Sequence, residues 1–174
     1  MRQPPQPGYA AIARHAAAAV ARAARLRSLA RELRRLAGTI KFNPTTGERP
    51  VLTPALAGLL SAIDEVLGDI ERASAERASD ETALAPLEDT VGRQIRFAHE
   101  AVERSAQVTS AAISVLRGEL SAADGASVDA PYGHGAPRRH HPGALCTIVA
   151  ERAENLAAAL EAAAITKMNA SATR

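Results

Sequence analysis

The sequence has no tryptophan, only two tyrosines and two phenylalanines, and a single cysteine, Cys146. One cysteine excludes an internal disulfide framework, and we interpret Cys146 as a small core residue. Proteins that bind single-stranded nucleic acid stack bases on aromatic side chains, so the shortage of aromatics argues against that mode of binding. The same shortage argues against an aromatic-lined cofactor pocket, and we expect no cofactor.

Long apolar segments are also missing. The chain starts with MRQPPQPG, and Arg14, His15 and Arg22 interrupt the alanine run that follows. The sequence therefore contains neither the apolar core of a signal peptide nor the ~20 apolar residues of a membrane span. This pattern predicts a protein without a signal peptide or a membrane span, located in the cytoplasm or within a macromolecular assembly.

Motifs for catalysis and metal binding are absent. The sequence has no phosphate-binding loop, no dinucleotide fingerprint and no Gly-x-Ser-x-Gly motif. Neither His15 nor His99 follows a glutamate by three residues, as a di-iron bundle requires. His134, His140 and His141 lie in a segment with two arginines and no acidic residue, which favours a polar loop. We expect no metal, no catalytic residues and no enzymatic activity.

Alanine is what the chain has in excess. It accounts for about a quarter of the residues and is the strongest intrinsic helix former. Because alanine buries little surface, alanine-rich helices must associate by close approach of smooth faces. The apolar spacing predicts an all-α fold, an elongated antiparallel bundle of about four helices that forms a single domain over residues 1–174.

The four predicted helices cover residues 9–37, 54–79, 86–120 and 143–168. Gly38 is a stop signal for the first helix. Thr53 can cap the second helix, and Pro54 suits its first position. Three further segments are expected outside the helices, namely a disordered N-terminus at 1–8, a short extended or hairpin link at 39–52 and a mobile linker at 121–142.

Stripes of mainly apolar residues follow helical spacing along the predicted helices, and the leucines, isoleucines and valines in them are the expected helix–helix interfaces. The interface residues are Leu26, Leu29, Leu33, Leu36, Leu56, Leu60, Ile63, Leu67, Ile70, Val91, Ile95, Val102, Ile113, Leu116, Leu145, Val149, Leu156 and Leu160.

The net charge of +2 conceals an asymmetry along the chain. Residues 1–50 contain ten lysines or arginines and two acidic residues, whereas residues 51–100 contain four and ten. The first helix is therefore basic and the second acidic. If these two helices pair antiparallel, their opposite charges face each other and help to fix the register.

The basic face of the first helix is the main candidate contact surface. Its residues are Arg22, Arg25, Arg27, Arg31, Arg34 and Arg35. Pairing with the second helix is one interpretation, and contact with a protein partner is another. A third is binding to the phosphates of a nucleic-acid backbone, which would be independent of base sequence.

These observations favour a non-catalytic structural or assembly protein that acts through helix–helix interaction, in a homo-oligomer or as a subunit of a larger complex. Two alternatives stay open at this point. One is sequence-independent nucleic-acid binding by the arginine face of helix one. The other is a coat on a granule or lipid surface, on which the apolar faces of the helices would lie.

Overall fold

A computed structural model describes residues 7–40, 52–84, 89–125 and 142–172 of the chain. Within these ranges every regular element is a helix, and there is no strand. The helices are α1 (Pro7–Ala37), α2 (Pro54–Arg72), α3 (Ser74–Leu84), α4 (Asp89–Gly125) and α5 (Pro142–Ala172). The protein is therefore an all-α helical bundle.

Ion pairs between helices show the direction in which neighbouring helices run. Arg27 pairs with Glu161 and Arg34 pairs with Glu154, so α1 and α5 are antiparallel. The pairs that join α1 to α2 and α3, and α2 and α3 to α4, follow the same rule. The bundle thus has up-down-up-down order, with α2 and α3 together forming its second arm.

The most extensive backbone contact in the bundle is between α1 and α5. Each helix contributes buried alanines that recur every seven residues and are no more than 1% exposed. These alanines are Ala16, Ala23 and Ala30 on α1 and Ala150, Ala157 and Ala164 on α5. A repeat of seven keeps such residues on one helix face, and without larger side chains between them the two backbones can approach closely. We call this contact the alanine seam.

Larger apolar side chains fill the rest of the core. The buried residues of α2 are Leu56, Leu60, Ile63, Val66, Leu67 and Ile70. Among the expected interface residues, Leu29, Leu36 and Val91 are partly buried and pack against the core, and all the others are buried.

The second arm begins as expected but is not continuous. Thr53 caps α2, because its side chain accepts a hydrogen bond of 3.2 Å from the Leu56 N–H. The prediction of one helix over 54–79 is wrong, since α2 stops at Arg72 and α3 runs from Ser74 to Leu84. At Ala73 the backbone turns to φ −71°, ψ 6°, outside ordinary helical values. The polar sequence that follows lacks the apolar spacing needed to continue the stripe of α2.

The bounds of the three other helices also differ from the prediction. α1 starts at residue 7 instead of 9, α4 reaches 125 instead of 120, and α5 spans 142–172 instead of 143–168. The predicted start of α4 at residue 86 lies outside the described residues. Alanines extend the ends of α4 and α5 because they favour helix intrinsically. A proline suits the first position of α5 because its missing N–H has no partner there.

Parts of the predicted non-helical segments lie outside the described residues. These parts are residues 1–6 of the N-terminus, 41–51 of the link and 126–141 of the linker. At the start of the link, α1 ends before Gly38 as expected, and the Thr39 N–H donates to the Leu36 carbonyl at 2.9 Å. Ile40 and Leu52, at the two ends of the link, pack against the core.

None of the helices in the described ranges is long and apolar enough to cross a membrane.

Candidate functional site

Three ionisable side chains from three helices meet inside the bundle. Asp80 of α3 is 1% exposed and accepts a hydrogen bond of 2.7 Å from His15 of α1. Because a carboxylate accepts, the proton of that bond is on His15 Nδ1. Lys167 Nζ of α5 lies 2.6 Å from the second Asp80 oxygen, as an ion pair without the alignment of a hydrogen bond. We call His15, Asp80 and Lys167 the polar cluster.

Burial gives the polar cluster its energetic weight. A carboxylate removed from water is costly unless cations and hydrogen-bond donors replace the lost solvent. Lys167 supplies the cation and His15 supplies the donor, so Asp80 has a partner at each oxygen. Loss of either partner would leave a buried charge only half compensated.

A cavity of about 50 Å³ adjoins the polar cluster. Its lining combines His15 and Lys167 with apolar groups such as Val102 and Leu160, and it also includes the buried His99 of α4. A water molecule needs roughly 10–15 Å³ of such space. The cavity therefore has room for a few waters, and it is far smaller than the pockets of ~300–1,000 Å³ that hold organic ligands.

The polar cluster was not predicted from the sequence, because His15 and His99 were compared only with metal-site spacing and neither Asp80 nor Lys167 was a candidate. One signal was present, because Lys167 continues a seven-residue repeat that runs through Ala153 and Leu160. A lysine at an apolar position of a helix indicates a buried cation that needs an acidic partner.

The arginines of the basic face lie mostly in ion pairs with glutamates. The pairs are Arg22–Glu76, Arg25–Glu65, Arg27–Glu161, Arg34–Glu154 and Arg35–Glu32. Arg31 is exposed and makes no ion pair with another described residue. The expected match between helix one and helix two accounts for the pairs with Glu65 and Glu76.

Two of these pairs join α1 to α5, a pairing that the sequence did not predict. Arg27 and Arg34 each bind a carboxylate through both terminal nitrogens, with Nη2–Oε2 distances of 2.6 Å to Glu161 and 2.7 Å to Glu154. Hydrogen bonding to its glutamate raises the pKa of each arginine. These pairs lie beside the alanine seam and fix its register.

Three large apolar side chains of α4 point away from the core. Phe97 is 66% exposed, Val108 is 41% exposed and Val115 is 51% exposed. Spacings of 11 and 7 residues are close to three and two helical turns, so these side chains lie along one line. We call Phe97, Val108 and Val115 the outer stripe.

No group of three or more His, Cys, Asp or Glu side chains in the described ranges is placed to hold a metal ion. His134, His140 and His141, which we interpreted as a polar loop, lie outside those ranges.

Cys146 is fully buried in the core, and its burial raises the pKa of the thiol to about 11. We expect iodoacetamide to modify native Cys146 far more slowly at pH 8 than it modifies the urea-unfolded chain. Since the folded pKa exceeds the unfolded value, this thiol lowers stability as the pH rises from about 9 to about 11. Mass spectrometry of alkylated protein measures both rates, and equal rates would contradict the burial.

Comparison with known proteins does not place the chain in a family, because no protein-family model, curated protein or solved structure matches it.

Proposed function

We propose that the chain is a non-catalytic assembly protein that pairs with a second copy of itself through the outer face of α4. The outer stripe carries this proposal. Apolar side chains aligned on an exposed helix face are typical of a surface that packs on another helix.

The spacing along α4 favours an identical helix as the partner. The residues that would meet the second copy, which we call the α4 seam, follow spacings of 4, 3, 4, 3 and 4. They are Phe97, Ala101, Arg104, Val108, Ala111 and Val115. This is the repeat of a coiled-coil seam. In an antiparallel pair centred between Arg104 and Val108, Phe97 faces Val115 of the second copy and Ala101 faces Ala111.

This arrangement places small residues opposite small ones and large residues opposite large ones. Arg104 is the one charged residue of the α4 seam, and it faces Val108 of the second copy. Its aliphatic stem can cover that valine while the guanidinium reaches water. The α4 seam is therefore self-complementary in side-chain size, and no like charges of its residues face each other.

Light scattering on the purified protein tests this proposal. We expect the wild type to be a dimer at micromolar concentration and Val115→Glu to be a monomer, because the substitution buries a carboxylate against Phe97 of the second copy, where the α4 seam has no cation. Val20→Glu is the matched control, since Val20 is 45% exposed on α1, away from α4. We expect that variant to remain a dimer.

A monomeric wild type would contradict the proposal, and so would a Val115→Glu variant that dimerises as the wild type does. Circular dichroism of the variants establishes that each keeps its helical fold, so that loss of the dimer is not loss of the bundle.

The two alternatives have less support. Binding to a nucleic-acid backbone requires free cations, but most arginines of the basic face form ion pairs with glutamates of the same chain. A lipid or granule coat requires the bundle to open, because its leucine, isoleucine and valine stripes are largely buried. The absorbance spectrum of the purified protein, which reveals retained nucleic acid, and a vesicle flotation assay test these alternatives directly.

A further inference from the structure

α3 is attached to the bundle differently from the other helices. Side chains of α3 are described at residues 75–80 and 82, and among these Asp80 is the one that is buried. Its alanines in that range, Ala75 and Ala78, are exposed. α2, by contrast, buries six apolar side chains. The hydrophobic effect therefore holds α2 in place but contributes little to the docking of these α3 residues.

Ionic contacts take the place of apolar packing. Asp80 joins α3 to His15 of α1 and Lys167 of α5 through the polar cluster. Glu76 approaches Arg22 of α1 at 3.6 Å. Arg77 pairs with Glu103 of α4, so α3 is tied to three helices through charged groups.

A joint precedes α3 and a cavity lies under it. The backbone leaves the helical conformation at Ala73, between two helices that are otherwise continuous. Ala73, Glu76 and Arg77 line the cavity of about 50 Å³ from the side of the second arm. Packing beneath this part of α3 is thus incomplete, and movement of its described side chains would disrupt few apolar contacts.

We infer that α3 is a detachable latch. It rotates away from the bundle as a unit at Ala73, while α1, α2, α4 and α5 keep their packing. Asp80 is the residue that holds it in the closed position. Opening uncovers a groove bordered by His15, Arg22 and Lys167. The inference is independent of self-association through α4.

Amide hydrogen exchange followed by mass spectrometry on the full chain tests the latch. Asp80→Asn keeps the shape of the side chain and removes its charge. We expect it to speed the exchange of α3 amides by roughly tenfold or more, as expected for the loss of a charge-assisted hydrogen bond. The exchange of α2 and α5 amides is expected to stay within about twofold, because these helices do not open with α3.

Asp64→Asn is the matched control, since it removes the ion pair with Arg117 at 2.6 Å on α2. We expect it to leave the exchange of α3 unchanged. Equal acceleration of all helices in Asp80→Asn would overturn the latch, because Asp80 would then stabilise the bundle as a whole. If Asp80→Asn does not fold, Arg77→Gln must accelerate α3 alone, and uniform exchange in that variant would equally overturn the proposal.

Discussion

Replacing Leu33 with alanine lowers the free energy of unfolding by ~2–5 kcal/mol. Leu33 is completely buried in the main core cluster, where α1 meets its neighbours. The substitution removes the transfer free energy of three carbon atoms and leaves a cavity that rigid helices fill poorly. Urea denaturation followed by far-UV circular dichroism measures the loss, since the chain has no tryptophan for fluorescence.

Leu29→Ala is the matched control for Leu33→Ala. Leu29 is on the same helix and has the same chemistry, but it is only partly buried at the edge of the core. We expect a clearly smaller loss of stability there, because part of the leucine already contacts water. Equal losses at the two positions would show that α1 is rotated relative to the structure described above.

Replacing Ala23 with leucine separates α1 from α5 and costs ~1–3 kcal/mol of unfolding free energy. Ala23 is fully buried at the middle of the alanine seam. Three additional carbon atoms cannot enter a closely packed interface without displacing backbone or forcing unfavourable rotamers. The same shift would stretch the ion pairs of Arg27 and Arg34 with α5, which adds to the loss.

The next residue along the chain provides the control for Ala23→Leu. Ala24 is exposed, and a leucine there is expected to change stability by less than about 0.5 kcal/mol. Thermal and urea unfolding of the two variants compare an identical substitution at adjacent positions. If both variants were as stable as the wild type, the alanine seam would not be a closely packed contact.

The apolar spacing was sufficient to predict the approximate positions of most helices and their buried faces, although not the break at Ala73. Leu26 and Leu33 of α1 are buried as the three-and-four repeat implies. The cap at Thr53 and the stop at Gly38 followed from local chemistry alone. Such features depend on residues a few positions apart, so the sequence contains all the information they require.

The choice of helix partners was not predictable in the same way. Alanines recur at so many spacings in this chain that no single face of α1 stands out as the partner of α5. The opposite charges of the first and second helices pointed to α2, and Glu154 and Glu161 of α5 were not considered as partners. Pairing between residues this far apart is decided by packing across the whole bundle.

The polar cluster was hidden for a related reason. Asp80, His15 and Lys167 lie on three helices, and an isolated aspartate in a polar stretch is normally a surface residue. Its burial depends on the break at Ala73, which sets the direction of α3, and on the register of the alanine seam, which sets the position of Lys167. Neither feature has a local sequence signature.

The alanine seam also has a consequence for folding of the chain during its synthesis. It joins α1 to α5, and its paired residues Arg27 and Glu161 are 134 positions apart. At a synthesis rate of ~5–20 residues per second, α5 is made on the order of 10 s after α1. During that time the alanine face of α1 is uncovered. Pairing between segments so far apart in the chain is also slow to form. The nascent chain is therefore most vulnerable to aggregation and to chaperone capture before α5 emerges.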